Sequence, residues 1–290
     1  MGGEQGRPPR PDRFDVVVFG DYHRDWLDII GPGKPFWDGM DGVASVSHRS
    51  GAWRGDAGED GTRQLVIPLL ENEIESITHP CWSLKPDRKA LRTLADKQLF
   101  AEHVSSIGLD DYLPRHFATP AEASFPALVK IRKGYGGKGI ALVNSVEEIA
   151  ATLARPPWSL RRSVIQEYVD RPIDYSVHAL CAGGRIVWHQ AYTFGVNPAD
   201  PIRHPRLTDV PAMVHTRAYD LAIMEQIVRP IRFSGPANFN YRIRQNGNAA
   251  FFEINPRLGG SLFRQAGHAD LKTMMSLIIK KASWHPAASP

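Results

Sequence analysis

The stretch that most restricts how this chain can fold is Gly235-Pro-Ala-Asn-Phe-Asn-Tyr-Arg-Ile-Arg-Gln-Asn-Gly-Asn-Ala-Ala-Phe-Phe-Glu-Ile-Asn-Pro-Arg-Leu-Gly-Gly-Ser261. Two alternating runs flank Asn246-Gly247, and Asn-Gly between such runs is the strongest short-range signal for a hairpin. A two-residue turn there sets Gln245 against Asn248, Asn240 against Glu253 and Asn238 against Asn255. Cross-strand partners and residues two apart share a face. One face of the predicted hairpin therefore carries Asn238, Asn240, Glu253 and Asn255, and the other carries Phe239, Tyr241, Phe252 and Ile254.

Hard oxygen donors with a single sure charge suit Mg²⁺, which keeps waters and takes further ligands from nucleotide phosphates. They do not suit zinc, which prefers thiolates and imidazoles. Taken alone, the hairpin could equally be a sheet edge whose polar face meets water. The continuation Asn255-Pro256-Arg257-Leu258-Gly259-Gly260-Ser261 adds an arginine and a small-residue turn just past the oxygens. An arginine beside a metal–phosphate site can neutralise charge that develops in phosphoryl transfer.

A second glycine-rich stretch, Phe125-Pro-Ala-Leu-Val-Lys130-Ile-Arg-Lys-Gly134-Tyr-Gly136-Gly137-Lys138-Gly139-Ile140-Ala-Leu-Val143, formally contains G-x-G-x-x-G. A dinucleotide fingerprint needs a helix directly after the glycines. Here Ile140 to Val143 is strand-like, and the helix starts later, with Ser145 as N-cap and Glu148 closing a capping box. A Walker loop is excluded because Gly139, not Ser or Thr, follows Lys138. The remaining reading is a β-hairpin with a glycine-rich, cationic tip that can lay backbone N–H groups of Gly136 and Gly137 across phosphates. A plain flexible hairpin loop is the alternative.

At 290 residues the chain can bury a substantial core. Its 42% apolar and 23% charged content is ordinary for a globular protein. A net charge of +4 without a basic stripe and stacking aromatics argues against nucleic acid as a partner. The two cysteines, Cys81 and Cys181, stand in no metal-ligand spacing and point to a reducing compartment. Neither a signal peptide nor a membrane span is predicted, so a cytoplasmic protein without a membrane partner is expected.

Along the chain, Phe14 to Gly20, Val43 to Val46 and Leu65 to Pro68 read as strands, with a helix from Leu69 to Ile77. Pro86 to Ile107 reads as one helix stopped by Gly108. Ser163 to Leu180 gives two strands around a Pro-containing turn, and Arg185 to Phe194 follows Gly183-Gly184 as an antiparallel strand. The loop from Gly195 to Thr216 is long enough to suggest a role in binding. Arg203, His204, Arg206 and Arg217 are accordingly expected to meet an acceptor substrate, together with Gly260 and Ser261. Ala218 to Val228 and Ala266 to Lys281 read as helices.

Phe251-Phe-Glu-Ile-Asn-Pro-Arg-Leu-Gly-Gly-Ser261 closely resembles the metal-binding strand of the ATP-grasp superfamily, which includes biotin carboxylase, D-alanine–D-alanine ligase and the carbamoyl phosphate synthetase large subunit. The resemblance runs from Pro86 to about Lys281, with motifs in the family's order. It implies an α/β protein with an α+β core, in which a small N-terminal α/β domain precedes two α+β subdomains that clamp ATP. The boundaries expected are a disordered N-terminus at 1–13, the N-terminal domain at 14–85 and a helical connection at 86–124. A lid subdomain at 125–172, a C-terminal subdomain with the metal site at 173–281 and a disordered tail at 282–290 complete them.

By the same resemblance, Lys97 in Ala95-Asp-Lys97 and the loop cations Lys130 and Lys138 reach ATP phosphates, with Gly136 and Gly137 in the covering loop. Ile140 and Phe252 flank the adenine. Glu167 accepts from the adenine amino group, the backbone at Tyr168 and Val169 holds the purine edge, and Asp174 binds the ribose. Glu253, Asn255 and Asn240 hold one or two Mg²⁺, for which Mn²⁺ can substitute, while Arg257 and Lys138 act in catalysis. Asn240 departs from the acidic residue or glutamine usual at its position, which implies weaker binding of a second metal. The activity implied is ligation: a small, amino-acid-like carboxylic acid is activated as an acyl phosphate and joined to an amine. A small-molecule kinase or a regulatory ATP-binding module remain alternatives, and a homodimer is a habit of the family.

Overall fold

The computed structural model describes residues 8–21, 24–51, 53, 63–134, 139–197, 202 and 211–285. The near-continuous apolar run of β1 (Phe14–Phe19) is buried on both faces, as an inner parallel strand requires. It pairs in parallel with β2 (Val43–Arg49) on one side and β3 (Gln64–Pro68) on the other. The helix α1 (Arg24–Ile30) follows β1, and α2 (Glu71–Ser76) follows β3 with Glu71 and Glu73 in its first turn. The short strand β4 (Cys81–Ser83) then lies parallel to β3.

Residues 8–13 and 282–285, which belong to the two segments expected to be disordered, are ordered, while 1–7 and 286–290 lie outside the described residues. Arg10 donates from Nη1 to the Ala282 carbonyl at 2.7 Å and lies over the rings of Phe14 and Trp82. Ser283–His285 adds an antiparallel strand to β4, with Trp284 edge-on to Trp82. Local pattern does not reveal a three-residue strand whose partner, Cys81–Ser83, lies about 200 residues earlier in the chain.

The single helix expected from Pro86 to Ile107 is two helices, α3 (Arg88–Ala95) and α4 (Lys97–Ser106). Asp96 breaks the run by leaving the helical region and capping α4, accepting from the N–H groups of Gln98 at 3.0 Å and Leu99 at 3.4 Å. The break puts Lys97 at the start of α4 and buries it.

The lid sheet contains β5 (His116–Phe117), β6 (Ala127–Ile131), β7 (Ile140–Val143) and β8 (Ser163–Glu167), in the order β5-β8-β6-β7. It therefore starts inside the segment read as a helical connection, because His116 pairs with Gln166. The β6–β7 hairpin forms as expected, with Lys130 opposite Ile140. Ser145 caps α5 (Val146–Leu153), while Glu148 accepts from the Asn144 N–H. Phe117, Val129, Val143, Ile149 and Ile165 form a small core for this unit alone.

The large antiparallel sheet is formed by β9 (Ile173–Ala182), β10 (Arg185–Gly195), β11 (Ala212–Val214), β12 (Gly235–Ile243) and β13 (Ala249–Asn255), in the order β11-β10-β9-β12-β13. One face packs Val177, Phe239, Tyr241 and Phe251 against α3, α4 and α6 (Ala218–Val228). Leu180, Tyr192 and Phe194 on its other face join the core of the N-terminal sheet, cemented by Leu262, Phe263 and α7 (His268–Lys281). The strand Ser283–His285, here β14, follows α7 directly. Trp26 of α1 stacks on Phe263 at 3.9 Å, which fixes the turn after β13 against the N-terminal domain.

Candidate ATP and metal site

The four predicted oxygen-bearing residues do come together. Asn238 pairs with Asn255 and Asn240 with Glu253. The route to that register is not a two-residue turn, however. The Arg244 N–H reaches the Asn248 carbonyl at 2.8 Å, and Gly247 sits at φ 86°, so the loop holds three residues and the outer pairs shift by one. A bulge between Asn240 and Tyr241 then leaves Phe252 without a partner and restores the register at the metal end. It also corrects the face that hairpin geometry gave Phe252, and sets the ring on the cavity side, where the resemblance expected it. Phe251 fills the core instead, and Phe252 turns into a cavity between the lid and the large sheet.

That cavity, about 650 Å³ including the space open to solvent, lies between the lid and the large sheet. Leu128, Ile140, Val169 and Phe252 give it apolar walls, and Tyr168 lies on the link from β8 to β9. Lys130, Asn240 and Glu253 meet at one end of it. Lys130 is buried, and burial pushes its amine down to about 8 although Glu253 pulls the other way. Its Nζ donates to Gln166 Oε1 at 3.4 Å and lies 4.9 Å from the Phe252 ring. The Gln166 amide in turn donates to His116 Nε2 at 2.8 Å, and burial pushes that imidazole down to about 4, so it accepts as the neutral ring. Neither Gln166 nor His116 was expected from the sequence, since nothing local marks a strand residue as the support of a lysine on the next strand.

A second cavity of about 910 Å³ adjoins the first at Glu253 and reaches Lys97, Gly134, Asn255 and Glu71. Lys97 Nζ lies 3.3 Å from Glu253 Oε2 and donates to the Gly134 carbonyl at 3.3 Å. Asn255 Nδ2 donates to Glu253 Oε1 at 3.3 Å. Burial works to raise the Glu253 carboxyl, but Lys97 and Lys130 outweigh it and hold the group below the ordinary carboxylate range. Arg257 donates from Nε to both Glu71 oxygens at 3.0 and 3.1 Å, from Nη1 to the Leu258 carbonyl, and from Nη2 toward Asn255 Oδ1 at 3.4 Å.

The two hinge carboxylates line the cavity but are each held by an arginine. Glu167 takes a bidentate fork from Arg244, at 2.6 and 2.8 Å, and the Arg115 N–H at 2.9 Å. Asp174 takes Arg242 Nε at 2.6 Å, and Arg242 also donates to the Val169 carbonyl. These arginines sit on and just after β12, at positions the sequence reading left as plain strand residues.

Of the expected acceptor residues, Arg217 is not at the site. It grips Asp220 at the start of α6 and the Gly247 carbonyl, at the opposite end of the hairpin from Glu253. Ser261 hydrogen-bonds His178 Nε2 at 2.6 Å, on the face that carries Asn238. The turn needs a glycine at 259, where a Cβ would stand 2.2 Å from the His178 ring and 2.7 Å from the Asn238 amide. Gly136, Gly137, Lys138, Arg203, His204 and Arg206 lie outside the described residues. Both cysteines are buried and free, and burial pushes the Cys81 thiol up to about 12 and raises that of Cys181 as well. Neither is set up as a nucleophile.

The donor set fits Mg²⁺. Among the described residues no three His, Cys, Asp or Glu side chains cluster as an all-protein cage. An ion at Glu253, Asn255 and Asn240 would draw its other ligands from water and phosphate, as Mg²⁺ does. Among the described residues no helix is long and apolar enough to cross a membrane.

No family model and no curated protein sequence matches the chain. Solved structures do match. The L-amino acid ligase of Bacillus licheniformis superposes with a TM-score of 0.61 at 13% identity, over 93% of this chain and 75% of that one. D-alanine–D-alanine ligase of Bacillus anthracis gives 0.60 at 12% identity, over 93% and 97%. This chain has the ATP-grasp fold. A third ATP-grasp structure, the biotin carboxylase domain of Hydrogenobacter thermophilus 2-oxoglutarate carboxylase in complex with MgADP, gives 0.62 at 15% identity, over 92% and 70%.

Proposed function

We propose that this protein is an ATP-dependent ligase that activates a small carboxylic acid and joins it to an amine. The observation that carries this reading is the meeting of Lys130, Lys97, Glu253 and Asn255 where the two cavities join, with Arg257 behind Asn255. ATP would lie with its purine between Ile140 and Phe252 and its edge against the backbone at Tyr168 and Val169. Glu167 and Asp174, each anchored by an arginine, would shape the hinge and the ribose end. Lys130 and Lys97 would meet the phosphates, and Glu253, Asn255 and Asn240 would hold Mg²⁺, which when bound withdraws charge from the phosphates.

A carboxylate resists an amine until one of its oxygens becomes a good leaving group. In the first step the acid's oxygen bonds to the γ-phosphorus as the bond to the ADP oxygen breaks. In the second the amine bonds to the acyl carbon, gives up a proton, and phosphate departs. Arg257 would steady the transferring group in the first step. The similar structures named for amino-acid and D-alanine ligation support an amino-acid-like acid.

The test is ADP and phosphate release with Mg·ATP against a panel of amino acids and hydroxy acids, with and without amines. Equal ADP and phosphate, dependent on an acid–amine pair, is the expected result. ADP without phosphate would identify a kinase instead, and nucleotide binding without turnover for any pair would favour a binding module or an acid outside the panel.

A further inference from the structure

Arg257 and Glu71 are 186 residues apart in the chain, yet Glu71 takes the Arg257 Nε with both carboxylate oxygens. Arg257 is 6% exposed, so its guanidinium sits in an enclosed place where a charge needs a partner. Glu71 is the first residue of α2, and Leu70 before it gives no side-chain cap, so local helix chemistry alone would let this carboxylate stay over its own N-terminus. It reaches across to the metal strand instead. With the Nε edge held by Glu71 and Nη1 by the Leu258 carbonyl, the Nη2 corner faces Asn255. A polar chain thus runs from α2 through Arg257, Asn255, Glu253 and Lys97 to the Gly134 carbonyl at the base of the glycine-rich loop.

We propose that Glu71 is a positioning residue through which the N-terminal domain aims Arg257 at the transferring phosphoryl group. This rests on the ATP-dependent reading of the site. The N-terminal domain then completes the chemistry rather than merely flanking it. Glu71 touches no reacting atom. Its effect passes through Arg257, and it should be felt in the transition state more than in nucleotide binding.

The test compares affinity for Mg·ADP with affinity for Mg·ADP plus aluminium fluoride, a mimic of the group in flight, so no acid or amine need be known. Glu71→Gln should weaken the aluminium fluoride complex by about 10- to 100-fold, the size of loss seen when a group that orients a metal ligand is removed, while Mg·ADP affinity stays close to wild type and the melting temperature falls, because Arg257 loses its charge partner. Glu71→Asp should recover part of the loss. In an Arg257→Ala background Glu71→Gln should add nothing, because the two act as a unit.

Equal weakening of both complexes, an additive double variant, or no tighter aluminium fluoride complex in the wild type would each overturn the proposal. If Glu71→Gln does not fold, Glu71→Asp carries the comparison. Failure of the wild type to bind Mg·ADP would remove both this proposal and the ligase reading. A normal Glu71 effect without any acid-dependent phosphate release would remove the ligase reading alone.

Discussion

The lid sheet and the large antiparallel sheet face each other across the first cavity, and they are built on different terms. The lid rests on a small core of its own around Val129, Ile149 and Ile165. The large sheet is buried on both faces, by α3, α4 and α6 on one side and by α7 with the N-terminal domain on the other. The lid contributes Lys130 and the base of the glycine-rich loop, while the large sheet contributes Glu253, Asn255 and, just beyond its last strand, Arg257. On the proposed reading the large sheet suits a metal's oxygen donors, which must hold fixed distances. Cations that close over phosphates can arrive with the element that has fewer contacts to break. The arginines Arg242 and Arg244 tie the two together at the hinge.

The largest expected effect sharpens that contrast directly. Phe239→Ala removes a ring at the centre of the large sheet and should cost about 3–5 kcal/mol in global unfolding. Ile165→Ala in the lid should cost about 2–4 kcal/mol, but hydrogen exchange should show it in lid amides alone. Faster exchange spread uniformly over both sheets would break the comparison.

Next, Glu253→Gln should weaken Mg²⁺-dependent nucleotide binding by about 100-fold, as read by calorimetry with and without Mg²⁺, while metal-free nucleotide binding changes little. Asn240→Asp should strengthen Mg²⁺ dependence through an added charge, and an unchanged Mg²⁺ titration would count against Asn240 as a ligand. Arg244→Ala should lower stability by about 1–3 kcal/mol, since it strips Glu167 of a bidentate partner and leaves the Leu113 carbonyl without its donor.

Lys130 gives a pH test. Its amine is pushed down to about 8 by burial, so the ligand-free protein loses that positive charge as pH rises through this value. Nucleotide affinity should fall by up to roughly tenfold per pH unit above it, and Lys130→Met should flatten that slope while lowering affinity throughout. For stability the sign is opposite. Between about 8 and the amine's ordinary value of 10.5 the unfolded chain binds more protons, so stability rises with pH in that window. The smallest effect belongs to Phe252→Leu, which removes the ring under Lys130 and should cost about 0.5–1 kcal/mol of nucleotide affinity.

Much of the site was legible because its signals are local. Asn246-Gly247 marks a hairpin, the alternating runs set which residues face together, and the Pro256–Ser261 turn follows at once. Even so, Asn240 came to stand opposite Glu253 through two irregularities that cancel, a three-residue loop and a bulge. The bulge alone decided where Phe252 points. What stayed hidden are pairings between distant segments: Arg257 with Glu71, Arg244 with Glu167, Gln166 with His116, and β14 with β4. Asp96 shows the limit in one residue, since a helical stripe continues through it while its carboxylate starts a new helix and binds Arg132.

By itself, then, the sequence determined the order of elements, the hairpin that gathers hard oxygen donors, the glycine-rich cationic loop, and the exclusion of a dinucleotide or Walker site. These follow from turn chemistry, period and spacing, which act over a few residues. Tertiary structure alone decided which charges are spent on one another, which face Phe252 takes, and that the N-terminal domain reaches Arg257. A charged side chain chooses its partner by what burial leaves within about 3 Å, and that neighbourhood exists only once the distant strands and helices have packed.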